Sequence, residues 1–110
     1  MSDCIFCKIV NRQLPAEIIY EDNNAVVFKD IIPKAPVHFL IVPKKHIDSI
    51  NALLPEDKGL MGELFLVAQK IAREKEISGY KLVINVGREG GQLVEHLHIH
   101  LLSGKITELP

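Results

Sequence analysis

His96-Leu97-His98-Ile99-His100, set within the apolar run from Leu93 to Leu102, constrains the fold of this chain more than any other segment. Side chains alternate faces along a strand. A strand here places three imidazoles on one face and Leu97, Ile99 and Leu101 on the other, where a core can cover them. Three imidazoles on a strand that otherwise looks buried need a reason. Histidine is the side chain whose unperturbed pKa suits proton transfer, nucleophilic attack and metal binding near neutrality.

The 110 residues are enough for one core, and 1–110 reads as a single domain. A hydrophobic content of 47% excludes a disordered chain. A formal net charge of −1 gives no basic field to draw nucleic acid. The apolar run Phe39 to Val42 is far too short to span a bilayer, so no membrane partner is expected. MSDCIFCKIV lacks the basic start and longer apolar stretch of a signal peptide. With only two cysteines, these features point to a reducing, cytoplasmic setting.

Glu17 to Glu21 and Ala25 to Asp30 read as strands joined by an Asp22-Asn23-Asn24 turn. Pro33-Lys34-Ala35-Pro36 is a loop. His38 to Pro43 is a third strand, with His38, Leu40 and Val42 on one face. Pro55 begins a long helix, with Glu56 and Asp57 in its first turn, and Ser78-Gly79 should stop it. Tyr80 to Val86 and Val94 to Leu102 are the last two strands, separated by the loop Gly87-Arg88-Glu89-Gly90-Gly91. Short connections favour an α+β domain: a five-stranded antiparallel sheet with a helix packed on it. On that helix Leu60, Met61, Leu64, Phe65, Val67, Ala68, Ile71 and Ala72 cover roughly 160° at about 100° per residue. So wide a face fits either a helix sunk in its own core or a subunit interface.

A neutral imidazole can attack phosphorus and form a covalent intermediate, while a neighbouring imidazole binds the developing charge. Gly90-Gly91 leads into the histidine segment and lets backbone N–H groups approach phosphate oxygens. Asp30, at a strand end, could bind ribose hydroxyls. Together these suggest a nucleotide phosphate site. The pattern alone equally allows a metal-binding strand, because histidines at i and i+2 can share a zinc ion.

Asn85-Val86-Gly87, Gly90-Gly91-Gln92 and His96 to Leu102 together resemble the histidine-triad family. Upstream, Asp30-Ile31, Pro33, Ala35-Pro36, His38-Phe39 and Pro43-Lys44-Lys45-His46 match the same family in order and spacing. The resemblance covers nearly the whole chain and looks closest to the Hint branch of nucleoside phosphoramidases. It implies a histidine-triad-like α+β fold: a five-stranded antiparallel sheet, one long helix and a short N-terminal helix. It also implies a homodimer formed through the long helix and an adjoining strand, which favours the interface reading of the wide apolar face.

By this resemblance His98 matches the nucleophile, His100 the histidine that contacts the phosphate, and His38 the histidine beside them. Asn85, Gly91 and Gln92 match the phosphate region, and Asp30 the ribose-binding carboxylate. Ile5, Phe6, Phe28, Ile31 and Leu40 match positions around a purine pocket, although each also suits plain core. The implied activity is hydrolysis of purine nucleoside phosphoramidates or related AMP conjugates through a nucleotidyl-histidine intermediate. No metal is needed for that chemistry, since imidazoles and backbone donors carry the charge. Two alternatives remain: a dinucleoside polyphosphate hydrolase, and a nucleotide-binding regulatory protein with weak catalysis.

Cys4 and Cys7 form a C-x-x-C pair that reads as idle thiols, a redox pair or half of a zinc site. The redox reading lacks a thioredoxin-like βαβ pattern with the pair at a helix head. Bacterial members of the family that carry the pair add two histidines, which here are His46 and His96. Cys₂His₂ is a closed set typical of structural zinc, and it would give His96 a job separate from catalysis. Leu93 stands where animal enzymes of the Hint branch have a serine near the leaving group. The tail from Ser103 to Pro110 is short and has no tryptophan, so the preferred leaving group is open.

Overall fold

The computed structural model describes residues 4–110. Five strands form one antiparallel sheet: β1 (Ile18–Glu21), β2 (Ala25–Lys29), β3 (Val37–Pro43), β4 (Lys81–Val83) and β5 (Ile99–Ser103). Their order is β1-β2-β3-β5-β4, with β3 and β5 adjacent near the middle. A short helix, α1 (Ile5–Val10), and a long one, α2 (Lys58–Glu74), complete the α+β architecture that the sequence implied.

Alternation along β2 and β3 divides the core in two. Val27, Phe39 and Ile41 join Ile99 and Leu101 beneath Leu64, Val67, Ala68 and Ile71 of α2. Val26, Phe28, Leu40 and Val42 point the other way and meet Phe6 and Ile9 of α1. Each fully buried Ile or Leu stabilises the fold by about 1.5–3 kcal/mol. Leu40 is opposite His100 in the β3–β5 register, which puts the histidine face of β5 on the α1 side.

The Asp22 turn closes as expected. Its carboxylate accepts the N–H groups of Asn24 and Ala25 at 2.7 and 2.8 Å. Pro55–Asp57 forms a 3-10 turn rather than the first α-helical turn, and α2 starts at Lys58. The helix also ends before Ser78-Gly79. Glu76 takes a left-handed conformation (φ 56°), and the N–H groups of Glu76 and Ile77 bond the carbonyls of Arg73 and Ala72. This is a Schellman closure with glutamate in the position glycine usually takes. Anchoring of Ile77 in the α2 core accompanies it.

The last two strands are shorter than the sequence suggested. β4 stops at Val83, opposite His100, and Asn85 turns to bond the carbonyls of Gly91 and Pro110. β5 begins only at Ile99, so His96, Leu97 and His98 precede the ladder. Extending the Ile41–Ile99 register would set Pro43 opposite Leu97, and proline has no N–H to give. Leu97 gives its own N–H to the Ile47 carbonyl at 2.6 Å instead. The side-chain alternation survives, because Leu97, Ile99 and Leu101 all enter the α2 core.

Of the wide apolar face on α2, Leu64, Val67, Ala68, Ile71 and Ala72 are buried. Phe65, at one edge of that face, is 43% exposed; Leu66, on the opposite side of the helix, is 64% exposed. No helix among the described residues is long and apolar enough to cross a membrane.

Candidate active site

The three residues His38, His98 and His100 come together on the α1 side of the sheet. The rings of His98 and His100 are 4.9 Å apart, those of His38 and His100 5.2 Å. All three are buried. Phe6 of α1 stands edge-on to His98 at 5.0 Å and to Phe28 at 5.5 Å.

Hydrogen bonds assign the ring protons. Nδ1 of His98 is 2.7 Å from the carbonyl oxygen of His96. A carbonyl only accepts, so Nδ1 carries the proton and Nε2 keeps its lone pair. The Lys34 N–H donates to Nδ1 of His38 at 3.0 Å, which leaves the proton of neutral His38 on Nε2. That Nε2–H faces Nδ1 of His100 at 2.9 Å. His100 is thereby left with its own proton on Nε2. The site holds one imidazole with a free lone pair beside one with a free N–H.

Burial disfavours the charged form of each ring. It pushes His98 below the ordinary histidine value. Burial, followed by the neighbouring His98 and His38, takes His100 down to about 4. Burial also lowers His38, against the opposing pull of the Asp30 carboxylate. All three are neutral at pH 7. Asp30 Oδ2 lies 3.4 Å from Nε2 of His38, and its Oδ1 accepts the Ile32 N–H. Asp30, His38 and His100 are close enough to surround a cation. The Lys34 N–H opposes that use, because a metal on Nε2 of neutral His38 would need the proton on Nδ1.

The other residues singled out from the sequence fall into three groups. Phe28 and Leu40 are buried with Phe6 in the core of the α1 side. Ile5 and Ile31 are exposed, Ile31 at 87%. Asn85 and Gly91 meet across the glycine loop, where Gly87 (φ 73°) and Gly91 (φ 89°) hold conformations that favour glycine. Gln92 is buried and its amide is fully engaged. It donates to the carbonyls of Asp48 and Val94 and accepts the Gly87 N–H. Its side chain braces the loop. A groove of about 1110 Å³ runs beside that loop, with Ile5, Lys8, Arg88 and Leu93 in its walls. Leu93 is 94% exposed there.

Cys4, Cys7, His46 and His96 form a second cluster. Their ligand atoms all lie within 4.8 Å of one another. Sγ of Cys4 is 3.3 Å from Nδ1 of His96, and Sγ of Cys7 is 3.2 Å from Nδ1 of His46. Tetrahedral zinc, with bonds of about 2.3 Å to sulfur and 2.0 Å to nitrogen, would separate such atoms by about 3.5 Å. The set fits. Nε2 of His46 lies 2.8 Å from the Asp48 carboxylate and Nε2 of His96 2.8 Å from the Pro43 carbonyl. Ligating histidines are commonly oriented in this way. The cysteine pair does stand at a helix head, since Cys4 caps α1, but both thiols face imidazoles.

Three contributors gave no sequence signal. The Lys34 N–H and the carbonyls of His96 and Pro43 are backbone groups, and any residue type supplies them. Asp48, two residues beyond His46, could have been suspected as its carboxylate partner.

Residues 3–109 match the family described as "Scavenger mRNA decapping enzyme C-term binding". Protein HitA of Neisseria gonorrhoeae is 47% identical over 103 residues, covering 93% of this chain and 96% of that one. A HIT family hydrolase from Legionella pneumophila superposes with a TM-score of 0.92 at 44% identity, covering 98% of both chains. A zinc-bound histidine triad family protein from Mycobacterium smegmatis gives a TM-score of 0.81 at 33% identity, covering 94% of this chain and 76% of that one.

Proposed function

The chain belongs to the histidine-triad family, and on that premise we propose that it is a nucleotide hydrolase acting on the α-phosphate of purine nucleoside phosphoramidates or related AMP conjugates. The observation that carries the reading is the pairing of His98, with a free Nε2 lone pair, and His100, with a free Nε2–H. A nucleophile and a donor for the phosphoryl oxygens stand side by side.

The purine packs against Ile5, Phe6, Phe28, Ile31 and Leu40, and Asp30 receives the ribose hydroxyls. The phosphate lies toward Asn85 and Gly91, in a loop braced by Gln92. Nε2 of His98 attacks phosphorus. An N–P bond forms as the bond to the leaving amine breaks, and the amine takes up a proton. His100 donates to a phosphoryl oxygen. Water then attacks the nucleotidyl-His98, the N–P bond breaks, a proton is released, and a nucleoside monophosphate leaves.

Cys4, Cys7, His46 and His96 hold one structural zinc ion in this reading. Their spacing and the zinc-bound mycobacterial relative support it. The domain, 1–110, pairs with a second copy through α2 and β4. Exposed Phe65, at the edge of the apolar face of α2, and the position of β4 at the end of the sheet support that. Two cysteines that form no disulfide suit a reducing, cytoplasmic setting.

Turnover of adenosine and guanosine phosphoramidates, beside diadenosine polyphosphates, tests the substrate class. Monophosphate release should be fastest from the phosphoramidates. Faster cleavage of the diadenosine compounds would move the assignment to polyphosphate hydrolysis.

A further inference from the structure

After β5 the chain crosses back over the loop between β2 and β3. Gly104 (φ 89°) lies so close to Pro36 that a Cβ there would stand 2.9 Å from the proline ring. Three residues on, Thr107 gives both its N–H and its Oγ1–H to the Lys34 carbonyl, at 2.7 and 3.0 Å. Lys34 is the residue whose N–H bonds Nδ1 of His38 at 3.0 Å. We infer that Thr107 is a positioning residue for His38: the segment 104–110 clasps Lys34 from its carbonyl side and so keeps the Lys34 N–H on the His38 ring. The inference rests on the reading of His38 and His100 as an ordered pair that serves the reaction.

The loop has little of its own to hold Lys34. β2 ends at Lys29 and β3 begins at Val37, so Lys34 lies outside the sheet ladders. Pro33 and Pro36 flank it and have no N–H with which to close a turn. Asp30 accepts the Ile32 N–H, and the Lys34 ammonium reaches the Ile32 carbonyl at 3.2 Å. Neither bond fixes the Lys34 peptide groups. Among the described residues, both hydrogen bonds to the Lys34 carbonyl come from Thr107. Only two soft dihedral angles separate the N–H and the carbonyl of one residue, so pinning the carbonyl narrows the directions open to the N–H.

Glycine at 104 brings the segment onto the loop. Its positive φ and the nearness of Pro36 both disfavour a side chain there. At the other end, the Pro110 carbonyl accepts from Asn85 Nδ2 at 3.0 Å. One segment therefore touches the loop that orders His38 and the loop assigned to the phosphate. The hydroxyl of Thr107 is the part of this clasp that depends on residue type.

Amide hydrogen exchange at Lys34, read by NMR beside steady-state kinetics, tests this in Thr107→Val and Gly104→Ala. Thr107 is exposed, so valine there leaves both cores intact. Each variant should exchange the Lys34 amide at least about fivefold faster, with kcat down about fivefold and KM within about twofold, the scale of one lost hydrogen bond. Thr107→Ser keeps the hydroxyl and should match the parent in both readouts. Lys34 exchange unchanged in both variants would overturn the inference, whatever happens to the melting temperature. Faster exchange with kcat unchanged, while His38→Asn is slow, would overturn it as well. A failure of the underlying reading would show separately, as an unchanged kcat in His38→Asn itself.

Discussion

Nε2 of His38 stands 2.9 Å from Nδ1 of His100, and the Lys34 N–H at 3.0 Å decides the direction of that hydrogen bond. One backbone amide therefore orders the protons of two buried rings. His100 is left to donate from Nε2, toward the place where phosphoryl charge would develop.

Removing that order should cost rate rather than binding. His38→Asn is expected to lower kcat about 10- to 100-fold, with KM changed much less. Steady-state kinetics on one adenosine phosphoramidate would show it. An unchanged kcat would separate His38 from the reaction.

The acid side of the pH profile follows from burial. Burial lowers the His98 value, and the ring must be neutral to attack. The rate should stay level from pH 8 down to about 6.5, the ordinary histidine value, and fall only at lower pH. An acid limb centred above that value would contradict the assignment.

Stability should follow the same sign. His100 titrates near 4 in the fold and near 6.5 when unfolded, so between those values the unfolded chain holds more protons. Its contribution is fully present above pH 6.5 and is lost as pH falls toward 4, amounting to about 3 kcal/mol. Denaturant titrations at pH 7.5 and 5 would detect the loss. His100→Asn should reduce the difference, and the remainder comes from His38 and His98, which burial also lowers.

Purified protein should carry about one zinc per chain. Replacing Cys4 and Cys7 by serine should lower the melting temperature by about 10 °C or more, because metal binding adds to folding free energy. Metal-free protein from chelator-free preparation, as stable as the rest, would count against a structural zinc.

Leu93 lies at the groove beside the glycine loop, 94% exposed, and cannot donate a hydrogen bond. Alkyl amines, which are poor leaving groups, should therefore depart slowly, and Leu93→Ser should narrow their disadvantage. Rates across a series of amines test this. Equal dependence on amine basicity in both proteins would remove Leu93 from the account of specificity.

Much of this site was legible because apolar alternation is a property of residue types. Leu97, Ile99 and Leu101 set the histidine face even where the strand itself is absent. The helix end carries no sequence mark, because Glu76 adopts a conformation that glycine usually signals. The early loss of β5 pairing traces to Pro43, whose effect depends on a register that sequence does not display. Gln92 looked like a phosphate residue, but its amide is committed to Asp48, Val94 and Gly87. The tautomers of His38 and His98 depend on backbone groups, which carry no residue-specific mark.

The central claim is that Nε2 of His98 forms a bond to phosphorus. Rapid acid-free quenching during turnover of a purine nucleoside phosphoramidate, followed by peptide mass spectrometry, tests it most directly. A nucleotidyl group on His98, absent from His98→Asn together with turnover, is the expected result. Nucleotide on another residue, or full turnover in His98→Asn, would contradict it.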